Sequence, residues 1–523
     1  MKKVGERKVE QILLIVFSLF LVLMGARAWR NMERVPLHDF DEANRAEGAR
    51  NMFLLKEFLV PVTGSPFLRV EGLEMLGPGG KGQVWPHLER PPLVFWLMAV
   101  SRQILGEREI SYRLPSFLFG VAGIVLVWVV GRKLGVSRWG ALVAGTVLLT
   151  SYDWWLSAQM AHLDTGLAFL MSLSFFCFLF FVKSGESKFL RGAGLAWGLS
   201  FLVKGQMAAL LLLPFGFLFL VGKLKLRDGG QVLLWTALPV LPWLVFFFQR
   251  FGIEHFFTVY FRDFLFSRGL VADLSQQAPF YWYGRWWLCS LRPGIFLFGI
   301  LVFRDLLRRR FDWMRLTILV YLAGGFLFLS VMANKVWWYV LPFIPVLAVY
   351  VGLALTDFLK ERKENVWGLA GVLFLGSLPV WWMSGDKEVF LWSGIVLVAG
   401  FSLMKIKFKG KGLGVGILVL SLVLSFWLFW KRFPQVNPSF PEVRELWQEY
   451  WDIQEEKCLW VSGMPYEAVL FYSGAGEVNY WEGVLKKGCR NFLVSPAELN
   501  YDKLEEKGSL KLYEIRQGLE KQE

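Results

Sequence analysis

This chain is short of charge. Only 19% of its 523 residues are Asp, Glu, Lys or Arg, against about 25% in an average soluble domain. Hydrophobic residues make up 55% and the mean hydropathy is +0.44, which excludes an ordinary water-soluble enzyme. Histidine and cysteine are scarce too, with four of each. No CxxC or Cys/His cluster occurs, so zinc and iron–sulfur signatures are absent. His38, His87, His162 and His255 are too scattered to argue for a metal site. Cys177 and Cys289 lie inside apolar runs and read as inert packing residues. Cys458 and Cys489 lie in a polar tail, available for a disulfide if that tail faces an oxidising compartment.

What is present is apolar sequence in bilayer-length pieces. Runs near 9–29, 114–131, 139–152, 165–182, 192–203, 206–222, 231–250, 286–303, 316–332, 336–356, 366–383, 388–404 and 413–430 give thirteen candidate spans. The start resembles a signal sequence, with Ala26-Arg-Ala28 as a passable cleavage site. The many spans that follow favour an uncleaved first span. With 26 Trp and 48 Phe, the chain is rich in the side chains that face lipid and its interfaces.

One further run, 91–105, is short and contains Arg102; it reads either as a span or as a helix lying in the interface. Charge decides. With 91–105 flat and the N-terminus cytoplasmic, the inner segments 1–8, 132–138, 183–191, 223–228, 304–315, 357–364 and 405–411 together carry 25 Lys and Arg. The short outer turns then hold only Lys204, Lys335 and Lys387. Were 91–105 to span, every later loop would swap sides and the positive-inside pattern would collapse. The net charge of +14 is therefore mostly an orientation signal, and nucleic acid is dropped as a partner.

This topology places three sizeable segments on the outer side: 30–113, 251–285 and the tail, 432–523. The tail reads as a small α/β domain, with strands at 458–462, 469–473 and 491–495 and helices at 441–452 and 496–505. Residues 1–431 form the membrane domain. The densest polar cluster, His38-Asp39-Phe40-Asp41-Glu42 through Glu47 and Arg50, opens a helix where carboxylates interact favourably with the dipole. A solvated, capped loop helix would look the same. Asp164 precedes an apolar helix and Lys204 stands alone between two apolar runs. Each has a plain reading, as an N-cap and as a snorkelling lysine, but all converge on one side of the membrane.

Read in order, Asp41-Glu42-x4-Glu47-x2-Arg50-x-Met52, Val60-Pro61, Glu89-Arg-Pro-Pro-Leu93, Arg113-Leu-Pro-Ser116, Met160-x3-Asp164, Leu202-Val-Lys-Gly205, Ala278-Pro-Phe-Tyr-Trp-Tyr283 and Asn334-Lys-Val-Trp-Trp-Tyr-Val-Leu-Pro342 form a pattern. It resembles the polyprenyl-phosphate-sugar glycosyltransferases of the GT-C superfamily, which include lipid A aminoarabinose transferases and protein O-mannosyltransferases. The resemblance covers about residues 10–360. It implies a mainly α, polytopic GT-C fold with about thirteen transmembrane helices, interfacial helices in the first outer loop and a small C-terminal α/β domain. It also implies an inner-membrane protein whose site and tail lie on the periplasmic or extracellular side.

The implied reaction moves a sugar from a polyprenyl phosphate to a lipid A-like glycolipid, or to a protein acceptor, with inversion. In that reading Asp41 is the base, and Glu42 and Asp164 orient the acceptor or Asp41. Lys204, Arg90, Lys335 and Arg50 are donor-phosphate ligands, and Glu47, Glu89, Tyr339 and Tyr283 line the substrate or lipid groove. An interfacial aromatic belt is the plainer account of the two tyrosines. No cofactor is required. A divalent metal at Glu89 would need a His that relatives carry where this chain has Gln276-Gln277. The stretch 69–87 looks like an insertion beside the site. A transporter or flippase would instead place its ions near mid-bilayer in matched halves, and a non-catalytic lipid-binding scaffold would keep the fold without turnover.

Overall fold

The computed structural model describes residues 2–38, 41–64, 75–76, 83–260, 262, 278–291, 294–361, 430, 433–436, 442–444, 457–462, 469, 472, 478–480, 490–499, 501–507 and 509–515. The chain is mainly helical, a multi-pass membrane protein with a sheet near its C-terminus. Seven helices among the described residues are long and apolar enough to cross a membrane, the first Leu14–Arg34 and the last Trp337–Phe358. The runs 366–383, 388–404 and most of 413–430 lie outside the described residues.

Helix α1 (Lys2–Arg34) leads to α2 (Asp41–Leu54), then to α3 (Leu93–Leu105), α4 (Glu109–Leu134), α5 (Arg138–Leu149), α6 (Tyr152–Ala158), α7 (Leu163–Ser184) and α8 (Ser187–Lys204). Pro91 and Pro92 precede α3, where a missing N–H costs no helical bond. Helix α4 stops at Gly135, whose φ of +95° is open to glycine and strained for other residues. The segment 91–105 contains a 13-residue helix with an apolar face buried through Val94, Phe95 and Met98. That length suits a helix packed on the bundle better than a crossing one.

The apolar stretch Ser187–Leu220 is long enough for a single span, but it is two pieces. Lys204 leaves helical geometry (φ −156°, ψ 68°), and the Trp197 indole N–H donates to the Ala208 carbonyl at 3.0 Å. Eleven residues of straight helix would separate those groups by about 16 Å, so the chain turns back at Lys204. A 3₁₀ segment (Gly205–Leu211) and α9 (Leu212–Leu220) follow, then α10 (Leu226–Phe251) and α11 (Ile253–Phe257). The two-run expectation for 192–222 matches this break.

The expected single span 286–303 does not. It is divided between α12 (Trp282–Ser290) and α13 (Gly294–Leu307), with Pro293, which cannot continue a helical ladder, between them. Then come α14 (Trp313–Val331), a 3₁₀ segment (Trp337–Phe343) and α15 (Ile344–Glu361). At the end of the bundle that holds the 304–315 loop, Asp305 accepts from Arg304 at 3.1 Å and from the Tyr350 hydroxyl at 3.1 Å, and Arg315 Nε lies 3.2 Å away as an ion pair.

Two strands of the 69–87 stretch, β2 (Met75–Leu76) and β3 (Gln83–Pro86), join β1 (Val62–Thr63), which precedes it, in a short antiparallel sheet of order β1-β3-β2. In the tail a five-stranded sheet runs β5-β4-β6-β8-β7, from β4 (Lys457–Val461), β5 (Val478–Tyr480), β6 (Arg490–Ser495), β7 (Asp502–Lys507) and β8 (Leu510–Ile515). Strands β4, β5 and β6 are parallel; β8 pairs antiparallel with β6 and β7. The strands expected at 458–462 and 491–495 are β4 and β6.

Two tail expectations fail. Residues 496–499 are not helical and 502–507 form β7, because Asp502–Lys507 pairs antiparallel with Leu510–Ile515 as one arm of a hairpin, with a register shift between Lys503 and Glu505. Val469 and Tyr472 are helical rather than extended, a spacing that puts both on one helix face. Of the expected helix 441–452, the described residues 442–444 are helical.

Candidate active site

The N-termini of α2, α4 and α7, the C-terminus of α8 and the turn before Trp337 meet at one end of the bundle. Helix α2 is unusual in burying most of its charged residues: Glu42, Arg45, Glu47 and Arg50 are all buried. Such charges persist only when they are paired and hydrogen-bonded.

Glu42 is fully buried, and protein donors take up its oxygens. Arg113 forks onto it, Nε to Oε1 at 2.6 Å and Nη2 to Oε2 at 2.7 Å. The backbone N–H groups of Ala161 and His38 donate at 2.7 and 2.8 Å. Arg113 spends its remaining donors on the carbonyls of Met32, Val35 and Pro36 at 2.9, 2.6 and 2.7 Å. All five guanidinium donors are used. The pair thus ties the end of α1, the start of α2, the start of α4 and the loop before α7 into one framework, with no lone pair of Glu42 left for a substrate.

Asp41 is differently placed. Its carboxylate is 22% exposed and accepts from Arg45 Nη2 at 3.1 Å. Burial pushes its pKa up, but Arg45 and, further off, Arg90 and Lys204 outweigh that and hold it below the usual carboxylate range. The anion is ready at neutral pH. Arg45 keeps Nε and Nη1 buried with no hydrogen-bond partner among the described residues, two unspent donors on the side chain that pairs with Asp41.

Asp164, fully buried at the start of α7, accepts from Lys204 Nζ at 2.7 Å. Its Oδ2 has no hydrogen-bond partner among the described residues. The ammonium also lies 4.7 Å from the centre of the Tyr339 ring, within cation–π range. His162, with 1% of its surface exposed, stacks on Trp337 and meets Trp338 edge-on. Burial first, then Arg45, hold its pKa well below the ordinary value, so the ring is neutral. Its backbone is locked to Ser116, whose hydroxyl donates to the His162 carbonyl at 2.7 Å.

Arg90 donates to Asn44 Oδ1, and its Nε lies 3.3 Å from Glu89 Oε1. Residues 41, 44 and 45 share one face of α2, so this contact brings the cation beside Asp41. Glu89 also accepts from His87 Nδ1 at 3.2 Å. Burial would raise its pKa, yet His87 and Arg90 bring it down to about 2. Among the described residues no group of three or more His, Cys, Asp or Glu side chains comes together in a form suited to a metal. Gln276 and Gln277 lie outside the described residues.

The other expected residues are placed elsewhere. Glu47 and Arg50 lie about 120° or more around α2 from the face of Asp41. Glu47 accepts from Asn51 and from the Gly64 N–H at 3.1 and 3.2 Å, and burial lifts its pKa to about 7 against the pull of Arg50. Lys335 donates to the Met332 carbonyl at 2.7 Å at the end of α14. Tyr283 is fully buried and its hydroxyl bonds the Val336 backbone at 3.3 Å, so it sets the path of the 335–339 turn instead of lining an open groove.

Arg45, Arg113 and His162 were not singled out as site residues. Position i+4 from Asp41 was a usable signal for Arg45. Arg113 opens one motif of the pattern, but its role, like that of His162, depends on partners 71 and 46 residues away.

Residues 89–246 match the dolichyl-phosphate-mannose-protein mannosyltransferase family. An undecaprenyl phosphate-alpha-4-amino-4-deoxy-L-arabinose arabinosyl transferase of Aeromonas salmonicida is 25% identical over 405 residues, covering 71% of this chain and 68% of its own length. Its counterpart in Aeromonas hydrophila is 26% identical over 421 residues, 74% of this chain and 70% of that one. The crystal structure of ArnT from Cupriavidus metallidurans bound to undecaprenyl phosphate superposes with a TM-score of 0.67 at 18% identity, over 98% of this chain and 99% of that one. The apo form gives 0.66 over 96% and 98%. The chain has the GT-C fold and resembles polyprenyl-phosphate-sugar glycosyltransferases, as its motif order implied.

Proposed function

We propose that this protein transfers a sugar, in first place a pentose, from a polyprenyl phosphate to a lipid A-like or other cell-envelope glycolipid. The observation that carries the reading is an ionised, partly exposed Asp41 set among Arg45, Arg90 and the Lys204–Asp164 pair. The names of the relatives and of the superposed structure supply the donor class. A lipid acceptor is preferred to protein because the aminoarabinose transferases align over most of this chain.

In the proposed step the acceptor oxygen bonds to the anomeric carbon as the bond from that carbon to the phosphate oxygen breaks. The acceptor proton passes to Asp41, and the electron pair leaves on the lipid phosphate. Cations fixed before the reaction stabilise the charge that develops there. Arg90 presents a planar fork suited to phosphate and Lys204 a point charge; the unspent donors of Arg45 add a third contact. If the acceptor is itself a phosphate, already ionised, Asp41 positions it. Direct displacement inverts the anomeric centre.

Glu42 orients Asp41 through the framework without touching substrate. The charge pattern supports a cytoplasmic N-terminus, with the site and the tail on the opposite side of the inner membrane. Mass spectrometry of envelope lipids tests the reading. Cells carrying the protein should show a glycolipid with an added sugar, which disappears with Asp41→Asn. An unchanged lipid profile would overturn the lipid acceptor.

A further inference from the structure

The tail domain holds backbone and side-chain groups immediately before both site carboxylates. Tyr472 Oη accepts from the Leu37 N–H at 2.9 Å and donates to Glu109 Oε1 at 3.1 Å. Arg444 Nη1 reaches the same Glu109 oxygen at 3.2 Å. Glu109 is one helical turn before Arg113 on α4, so the same turn that carries Arg113 also anchors Tyr472, and both reach the 35–38 strap. Arg113 takes the Val35 and Pro36 carbonyls and Glu42 the His38 N–H, while the Leu37 N–H goes to the tail.

A second tie runs to the other carboxylate. Gln159 Nε2 donates to the Pro434 carbonyl at 3.1 Å and to the Trp155 carbonyl at 2.9 Å. Its Oε1 accepts from Asn31 at 2.8 Å, and Phe433 packs on Trp155 at 5.6 Å. Two residues after Gln159 comes the Ala161 N–H that holds Glu42, and three further on comes Asp164.

We infer that the C-terminal domain is part of the framework of the catalytic centre, and that the Tyr472 hydroxyl is a positioning residue for Asp41. The inference rests on the transfer reaction proposed above. Tyr472 touches no reacting atom; it acts through the strap. A buried backbone N–H left without an acceptor seeks another one, and the strap shifts with it. A displacement of an ångström at a reacting group is enough to cost a large factor in rate.

The test is Tyr472→Phe in the full-length protein, assayed with undecaprenyl-phosphate-linked 4-amino-4-deoxyarabinose and lipid A. The expected result is a kcat about tenfold lower, with the donor KM within about twofold of wild type. Amide exchange over residues 35–46 should be about fivefold or more faster. Lys503→Ala, on an exposed tail ion pair, should keep the wild-type kcat.

Wild-type kcat or wild-type exchange in Tyr472→Phe overturns the inference. So does a raised KM at unchanged kcat, which would make the tail a donor-binding element. A lower melting temperature with unchanged kcat per folded molecule would make it a plain structural contact. If Tyr472→Phe does not fold, Arg444→Met goes through the same two readouts, with smaller changes expected in the same directions. If the wild type transfers no sugar, the transfer reading fails, and the exchange result alone decides the positioning.

Discussion

At the scale of the residue, the site separates two neighbouring carboxylates by environment. Asp41 is partly exposed and paired with Arg45. Glu42 is saturated by four donors. Replacing Glu42 with Ala leaves the fully buried Arg113 without its counter-charge, and losing one partner of such a pair costs about 3–5 kcal/mol. The expected outcome is a large drop in melting temperature and little folded protein, whereas Asp41→Asn keeps the melting temperature near that of wild type.

The pH response follows from the charges. Arg45 is the chief group holding the Asp41 pKa down, so Asp41 is ionised well below neutrality. Arg45→Met removes that pull, and the acid limb of the kcat/KM profile should move to higher pH. A profile that keeps its acid limb in place would show that another group titrates there. The same logic runs in reverse for Glu47, whose pKa of about 7 exceeds the unfolded value near 4.5. Between those values the folded state holds a proton that the unfolded state has released, so its contribution to stability falls as pH rises.

At the scale of the element, much of the architecture was legible because apolar length and charge asymmetry are properties of the sequence alone. The short helix at 93–105 and the break at Lys204 were both readable from it. The division of 286–303 into two helices was missed although Arg292-Pro293 interrupts the apolar run. Helix α2 was readable as a helix, but not that its two polar faces serve different purposes. That division depends on Asn44 meeting Arg90, 46 residues on, and on Glu47 meeting Gly64 at the root of the insertion.

Close packing between helices has a sequence mark as well. Gly194 and Gly198 on α8 face the α10 backbone, where an added Cβ would stand 2.5 Å from the Val232 carbonyl oxygen and 2.3 Å from that of Thr236. Small residues at this spacing let helix backbones approach where lipid offers no hydrophobic drive. Gly198→Leu should force α8 from α10 and displace Lys204 at the end of α8. Its measurable effect is a lower melting temperature together with lost transfer. An unaltered melting temperature would mean that α10 yields freely.

At the scale of the whole molecule, the polar resources of an apolar chain are concentrated at its two ends. The 304–315 end carries basic residues, with Asp305, Arg315 and Tyr350 bound together there. The other end gathers carboxylates and cations from α2, α4, α7, α8 and the 335–339 turn. The individual residues at this second end were mostly visible from the motif order. Their division into reacting and supporting groups was not, because it is decided by burial and by partners far away in the chain. The tail changes in meaning most: a separate small domain by composition, it holds the strap before Asp41 and the loop before Asp164.

The central claim is that Asp41, among fixed cations, takes part in sugar transfer from a lipid phosphate. The most direct measurement is single-turnover transfer by purified wild type and Asp41→Asn in lipid nanodiscs, with undecaprenyl-phosphate-linked aminoarabinose and lipid A. With a hydroxyl acceptor, loss of the base should lower the rate by about 100-fold or more while donor binding persists. Undiminished turnover by folded Asp41→Asn would contradict the account.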